Sequence, residues 1–483
     1  MSAQASRRIS VAAFATWLAL TALELVPGAR HAWGFELWEY LPAWAVWLLG
    51  AASLALCAGP VREGVARACD AVCARLPAIR GAAGRVAAFV ALALLFWILR
   101  ERRLYGDSDI LLFETGLGRP FHLKEMGSSF LIGTVVRLAR GASLEHEQVV
   151  ALVQALICVA GALAVLALYR AALRFAPGRA GAALALILCG GLLRILAGHV
   201  EVYVFALAAL ALYLTTALAH LEGRGSFAAA CLALGLAIWM HGAALLLLPS
   251  LLALRFLDAR VPSLRELAVG IALAALPSAL FLGWQLGVGP SGLAGVQREV
   301  VRTLWGEQGA WSPRLFVRAW GESPAAVTDY AFGSRAQWKY LVNAAHLLVP
   351  GSLPVLVALA LRSPRRLLAT PTARFLVAAA LPLAIYPLVL RPIWGPFDWD
   401  LFAVPALVLA VLAAHGLAQA TAETTWRHLT VWIAGFGLLF VGLPFLWIGI
   451  APARPAGPFA EKQFSTDITR PGTPAHQRIA PWL

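Results

Sequence analysis

Two pairs of aspartates have the spacing and surroundings to do chemistry. Asp107 and Asp109 stand two residues apart in the segment YGDSD, and Asp398 and Asp400 share that spacing in the segment FDWD. A positioned carboxylate can act as a general base towards a weak nucleophile, and several carboxylate oxygens together can hold a divalent cation. We therefore expect these pairs to supply a base, ligands for a divalent cation, or contacts to substrate hydroxyls. The identity of any metal stays open.

Other ionisable residues stand at the ends of long apolar runs. The arginines and histidines among them suit contacts with a phosphate, and the carboxylates suit contacts with sugar hydroxyls. The candidates for binding a substrate are Arg194, His199, Glu201, His241 and Arg391, together with Asp398 and Asp400. For Arg194 and Glu201, which are seven positions apart across Gly198, a structural ion pair is the alternative role.

The composition places these residues in a membrane protein. The 483 residues are 60% hydrophobic and 13% charged, whereas soluble domains are about 25% charged. Apolar runs of roughly 18 to 25 residues, long enough to cross about 30 Å of hydrocarbon as helices, recur from end to end. The formal charge of +14 comes mainly from arginines dispersed between these runs. We therefore expect the lipid bilayer, and not nucleic acid, as the surroundings of this basic chain.

The apolar runs predict an all-α fold, a polytopic transmembrane helical bundle of about thirteen spans. The predicted spans lie near residues 9–27, 41–59, 84–100, 148–169, 180–197, 201–219, 226–242, 243–257, 266–286, 340–361, 375–390, 401–419 and 429–450. We divide the chain into N-terminal spans within 1–83, a core over 84–450 and an outer tail over 451–483. The core contains two long outer loops, 101–147 and 287–339.

The distribution of positive charge predicts how the bundle is oriented. Arginines are concentrated in alternate loops, as in 62–85, 170–179, 255–265 and 362–374, and cytoplasmic loops are the ones enriched in Arg and Lys. With the N-terminus inside, every candidate residue named above falls in or beside an outer loop. We therefore expect a multi-pass protein of the inner (plasma) membrane whose active site faces the periplasm or the cell exterior.

The acidic motif of the first large outer loop carries a family resemblance. A polytopic chain with such a motif just after a helix resembles the GT-C superfamily of membrane glycosyltransferases. Gly106-Asp107-Ser108 is also similar to the opening of a bacterial branch related to protein O-mannosyltransferases, although Asp109 stands where that branch has Gly. The resemblance covers about residues 84 to 450. It implies an enzyme that moves a sugar from a polyprenyl-phosphate donor to an acceptor hydroxyl at the outer membrane face.

The resemblance also implies roles for individual residues. In that superfamily an acidic residue of the first outer loop is the general base, which nominates Asp107 or Asp109. The Gly-Asp-Ser similarity favours Asp107, and the choice between the two stays open. Displacement at the anomeric carbon leaves a lipid phosphate, whose negative charge calls for a cation. The candidates are Arg391, which we favour, Arg194, Arg298 and Arg302.

Other classes of membrane protein remain as alternatives. A lipid-linked polysaccharide polymerase or ligase often places its essential Arg and His residues in one large outer loop, so a requirement for Asp107 or Asp109 separates it from the first hypothesis. A secondary transporter typically shows internal repeats and polar groups near the bilayer midplane, and neither feature is evident in this sequence. A non-catalytic membrane scaffold is the third alternative. The sugar, the carrier lipid and the acceptor are all left open.

Overall fold

The structure, a computed structural model, is built from helices and turns, and none of the residues it describes forms a β-strand. The described residues are 3–25, 33–35, 37–75, 81–102, 104, 108, 111–112, 122–257, 263–287, 289, 292–305, 333, 335–362, 364–365, 368–389, 399–421 and 423–450. This architecture confirms the predicted all-α fold class.

The first half of the chain forms nine helices among the described residues, eight before and one after the candidate residues near position 200 in the sequence. They are α1 (Ala3–Leu25), α2 (Ala43–Ala55), α3 (Gly59–Arg75), α4 (Ala82–Leu99), α5 (Met126–Gly141), α6 (His146–Phe175), α7 (Ala180–Leu188), α8 (Leu192–Leu196) and α9 (Tyr203–Leu221). Short 3₁₀ turns at Trp33–Phe35, Leu37–Tyr40 and Leu123–Glu125 connect some of them.

The second half of the chain continues in the same manner. Its helices are α10 (Phe227–Met240), α11 (Leu248–Phe256), α12 (Leu264–Gly287), α13 (Gly292–Trp305), α14 (Arg335–Leu348), α15 (Ser352–Arg362), α16 (Pro371–Val389), α17 (Ala403–Ala420), α18 (Glu423–Phe436) and α19 (Leu443–Ile450). A π-helical turn at Gly437–Gly442 joins α18 to α19, and 3₁₀ turns at Gly242–Leu247 and Trp399–Phe402 precede α11 and α17.

Among the described residues, seven helices are long and apolar enough to cross a membrane, or nine if each of two bent helix pairs counts as one span. Every predicted apolar run overlaps a helix, and the count of thirteen spans stays a prediction. The run 340–361 is not one straight helix, since α14 and α15 meet at 104°. Pro350 lacks the backbone N–H that an α-helix needs, and Gly351 has φ of +110°, which no α-helical residue adopts. These two residues produce the bend.

The helices differ in how deeply they are buried. In the most apolar 18-residue stretch of Trp399–Ala420, which includes α17, 83% of the residues are buried inside the protein. In α4 the corresponding share is 6%. Helices α6, α9, α10 and α17 pack together in the interior, and α4 presents most of its apolar surface outwards. Such a surface requires lipid as its solvent.

Contacts of arginine side chains mark one end of the bundle. At one end, Arg179 donates a hydrogen bond to the carbonyl of Ala418 and lies over the Trp426 ring, and Arg174 pairs with Glu222. These contacts join the C-terminal ends of α6, α9 and α17. The candidate residues His199, Glu201 and Asp400 lie near the opposite ends of α9 and α17. This separation follows the predicted alternation of charged loops, and the side of the membrane that each end faces stays a prediction.

A close approach between α6 and α8 sets the position of the turn that precedes α9. Gly161 of α6 lies against the backbone of α8, and a Cβ atom placed there would stand 2.1 Å from the carbonyl oxygen of Leu196. Only a residue without a side chain allows this approach, and the contact holds the turn at 197–202 against the bundle.

We predict that Gly161→Ala lowers the apparent Tm of the purified protein in detergent. The added methyl group has to displace backbone, and overpacking of this kind costs about 1–3 kcal/mol. Gly283→Ala in α12 is the matched control, because a Cβ there meets no atom within 4 Å. The control is expected to leave Tm unchanged or raise it slightly. An equal Tm for wild type and Gly161→Ala would contradict the packing argument.

Candidate active site

A buried carboxylate, Glu101, lies just beyond the C-terminal end of α4. Its side chain is only 1% exposed. One carboxylate oxygen accepts a hydrogen bond from the backbone N–H of Val200 at 2.9 Å, and the other lies 2.8 Å from Nδ1 of His199. The carbonyl of Glu101 accepts a hydrogen bond from Gln154 of α6 at 2.8 Å. Glu101 therefore joins α4 and α6 to the turn before α9.

Arg194 of α8 belongs to the same cluster. Its Nη2 lies 3.6 Å from the carboxylate of Glu101, and its guanidinium stands 4.4 Å from the centre of the Phe445 ring. The carbonyl of Phe445 is 3.4 Å from Nη1. Arg194 is thus held in a buried position between Glu101 and α19.

The turn that carries His199 has a conformation that only glycine adopts readily. Gly198 has φ of +83°, which is the left-handed region favoured by glycine. A Cβ there would also stand 2.6 Å from Cβ of Arg100. The close contact with the end of α4 is what brings His199 and Val200 within hydrogen-bond distance of Glu101.

His199 connects Glu101 to a second carboxylate. Its Nε2 lies 3.6 Å from Asp400, slightly beyond normal hydrogen-bond length, and its ring stacks on Trp399 with ring centres 5.8 Å apart. The ligand atoms of His199, Glu201 and Asp400 all lie within 4.8 Å of one another. Two segments about 200 residues apart in the sequence therefore present one imidazole and two carboxylates to the same small volume.

A second cluster surrounds Glu125, which precedes α5. Glu125 lies 3.2 Å from Nζ of Lys124 and 3.9 Å from Nε2 of His241. His241 Nδ1 accepts a hydrogen bond from the backbone N–H of Ala243 at 3.1 Å, so the proton of the neutral ring is on Nε2, which faces Glu125. The His241 ring also lies 5.3 Å from the ring of Tyr203.

Tyr203 links the two clusters. It is the first residue of α9 and interacts electrostatically with Asp400, Glu125 and Glu201. The polar residues of the two clusters adjoin the C-terminal ends of α4 and α10 and the N-terminal ends of α5, α9 and α17. The site is therefore an assembly of helix termini, where polar residues replace the apolar sequence of the spans.

The charges of two groups outside the spans follow from their surroundings. Burial acts to lower the pKa of His199, but the carboxylate of Glu101 and the contacts with Asp400 and Glu101 raise it above its ordinary value. Burial acts to raise the pKa of Glu125, but Lys124, His241 and His122 lower it below its ordinary value. The protonated form of His199 and the ionised form of Glu125 are both favoured.

The residues predicted from the sequence divide into three groups. Arg194, His199, Glu201 and Asp400 come together in one cluster. His241 lies in the neighbouring cluster with Glu125. Of the remaining candidates, Arg298 and Arg302 lie on α13. Asp107, Asp109, Arg391 and Asp398 lie outside the described residues, as do most of the long loop 287–339 and the tail 451–483.

Sequence reasoning missed Glu101 and Glu125, the two carboxylates at the centres of the clusters. Glu101 stands among Arg100, Arg102 and Arg103 at the end of an apolar run, so the sequence resembles an ordinary charged loop. The signal that was available is an acidic residue directly at the end of a span, only a few positions before the YGDSD motif.

Comparisons with known proteins add a structural likeness. No protein-family model and no curated protein matches the chain. Among solved structures, the fold is similar to ArnT from Cupriavidus metallidurans in the apo state, with a TM-score of 0.44 and 18% sequence identity. The likeness covers 71% of this chain and 61% of that one, so the chain spans less than two thirds of the length of that structure.

We predict a pH-dependent stabilisation by His199. Because the folded-state pKa of His199 is raised above the usual value of about 6.5, its ionised form stabilises the protein below that pH. The contribution is lost as pH rises through the higher folded-state pKa. The difference in apparent Tm between wild type and His199→Gln, measured in detergent with a chelator present, is expected to be largest near pH 6 and to shrink in alkaline buffer. A difference that does not change with pH would refute this assignment of charge.

Proposed function

We propose that the protein is a membrane glycosyltransferase that moves a sugar from a polyprenyl-phosphate donor to an acceptor hydroxyl at the outer membrane face. The observation that carries the proposal is the buried, charged cluster that Glu101, His199, Glu201 and Asp400 form where the ends of membrane helices meet. Ionisable groups buried at membrane depth are costly and usually serve a function. The resemblance of the YGDSD motif to the GT-C superfamily supplies the reaction class.

The acidic motif of the first outer loop is proposed to supply the general base. Asp107 or Asp109 takes the proton of the acceptor hydroxyl as that oxygen attacks the anomeric carbon and the bond to the donor phosphate breaks. Two described residues bear on this segment: Glu101, which lies in the cluster, stands a few positions before the aspartates, and Ser108 between them is fully buried. A carboxylate near this cluster works in a low-dielectric surrounding, where electrostatic effects are strong.

A cation is needed where the lipid phosphate leaves. Arg194 is a weaker candidate than Arg391 for binding this phosphate, because the side chain of Arg194 is buried against Glu101 and Phe445. Arg391 stays the first choice. Lys124 joins it, since its side chain is 34% exposed beside the ionised Glu125, and a partly exposed ammonium can reach a phosphate as a point charge.

We predict that one of Asp107→Asn and Asp109→Asn loses transfer of labelled sugar from polyprenyl-phosphate donors. Loss of a positioned base typically lowers the rate about 10²–10⁴-fold. Transfer is measured in membranes at equal expression, and Asp70→Asn in α3 is the control for removal of a carboxylate elsewhere. Wild-type transfer by both loop variants would refute the mechanism and favour the polymerase or ligase alternative. If wild type gives no transfer with any donor, a transport assay tests the transporter alternative.

We also propose that a divalent cation binds among His199, Glu201 and Asp400. Their ligand atoms lie within 4.8 Å of one another, and Nε2 of His199 is buried with no hydrogen-bond partner within 3.5 Å among the described residues. One imidazole nitrogen, which would release its proton as the ion binds, together with carboxylate oxygens suits ions such as Mn²⁺ or Zn²⁺. A bound ion would supply positive charge for an anionic donor, while these residues hold it in place.

We predict that the purified protein binds Mn²⁺, detected by electron paramagnetic resonance of free and bound ion. Glu201→Gln and Asp400→Asn are each expected to weaken binding at least about tenfold, since each removes one of few ligands. Glu222→Gln, which alters a carboxylate paired with Arg174 at the other end of α9, serves as the control and is expected to bind normally. Equal Mn²⁺ binding by all four proteins would exclude this cation site.

A further inference from the structure

Glu101 is the most buried carboxylate of the cluster, and the mechanism proposed above gives it no role. It lies behind His199 as seen from Asp400, because Nδ1 of the ring faces Glu101 and Nε2 faces Asp400. A side chain that is 1% exposed does not meet substrate directly. Its effect on the site has to pass through the groups that it binds.

Both oxygens of Glu101 accept hydrogen bonds from consecutive residues. One accepts from the backbone N–H of Val200 and the other from Nδ1–H of His199. These two bonds fix the turn and the ring together, so that the imidazole cannot rotate without breaking one of them. The ring is further restrained by stacking on Trp399.

A carboxylate is the group that this position requires. Both contacts are hydrogen-bond donors, and a carboxylate offers two acceptor oxygens, whereas the amide of Gln offers one acceptor and one donor. In a Gln variant, either Val200 N–H or His199 Nδ1–H would therefore face an NH₂ group. The guanidinium of Arg194, 3.6 Å away, also favours a negative charge here.

The backbone of Glu101 is held independently of its side chain. Its carbonyl accepts from Gln154, and the next residue, Arg102, donates its N–H to the carbonyl of Gly449 at 2.9 Å. The carboxylate is thus presented to His199 from a fixed support made by α6 and α19. Replacing the side chain alters the contact with His199 while these backbone contacts remain.

We propose that Glu101 is a positioning residue, which keeps the proton of His199 on Nδ1 and aims Nε2 at the space between Glu201 and Asp400. Nδ1 is held as a donor whether or not the ring carries a second proton, so Nε2 is the atom left to serve the site. The predicted effect on sugar transfer rests on the proposed function, whereas the arrangement of the ring does not.

The experiment is proton and ¹⁵N NMR of histidine-labelled full-length protein in lipid nanodiscs. In wild type, His199 is expected to show a strongly downfield Nδ1 proton, because its hydrogen bond is charge-assisted. The signal is assigned by its loss in His199→Gln. It is expected to move upfield or disappear in Glu101→Gln, and to persist, shifted, in Glu101→Asp, which keeps two acceptor oxygens on a shorter side chain.

Glu63→Gln is the matched control. Glu63 of α3 lies 3.1 Å from Nε2 of His428 in α18, so the variant removes another carboxylate paired with a histidine. It is expected to change the spectrum of His428 and leave that of His199 unchanged. An Nδ1 without a proton in wild-type His199 would overturn the proposal, even if Glu101→Gln failed to fold. So would an unchanged Nδ1 signal in a folded Glu101→Gln variant.

Sugar transfer gives a second readout. Glu101→Gln is expected to lower kcat roughly 10–100-fold, the usual cost of losing a group that orients a functional histidine. KM is expected to change little, and Glu101→Asp should recover part of the rate. A fall in transfer as large in Glu63→Gln would overturn the positioning role. The expected change in the His199 signal without transfer by any protein would support positioning and refute the proposed function.

Discussion

The burial of charge at one end of an apolar bundle is the constraint on which the rest of this structure depends. An ionised carboxylate removed from water costs several kcal/mol unless it is paired and hydrogen-bonded. Glu101 meets that condition through His199, Val200 and Arg194. These partners come from α8 and the turn before α9, so the charge is tolerated only if those elements approach α4 closely. The glycines at the α6–α8 contact and in the turn permit that approach.

Interruptions of the helices supply the geometry for the charged residues. A helix end leaves backbone N–H and C=O groups without intrahelical partners, and polar side chains gathered there can satisfy them. The N–H of Val200 is satisfied by a carboxylate and the N–H of Arg102 by the carbonyl of Gly449. The clusters of ionisable groups around Glu101 and Glu125 lie at such helix ends, whereas the exposed faces of the spans are apolar.

The N-terminal segment packs against α14 and the π-helical turn between α18 and α19. Trp38 stacks on Phe440 with ring centres 4.6 Å apart, and its indole N–H donates to the carbonyl of Leu439. That carbonyl lies in the π-helical turn of the last span, where the usual helical pairing is shifted. Gly34 donates its N–H to the side chain of Asn343 in α14. Residues that the sequence assigns to an addition before the core therefore contact helices of the core itself.

The sequence by itself determined the membrane class, the positions of the apolar helices and the concentration of ionisable residues at their ends, although α3 and α13 lie where it predicted loops. These properties depend on the length and composition of local runs, which are evident from the sequence without knowledge of the tertiary contacts. Tertiary structure decided which charges meet. The sequence offered Glu201 as a partner of Arg194, and packing adds Glu101, from the end of α4, at 3.6 Å. The roles of Glu101 and Glu125 were not predictable, because a buried carboxylate and a solvated one look alike until the helices around them are packed.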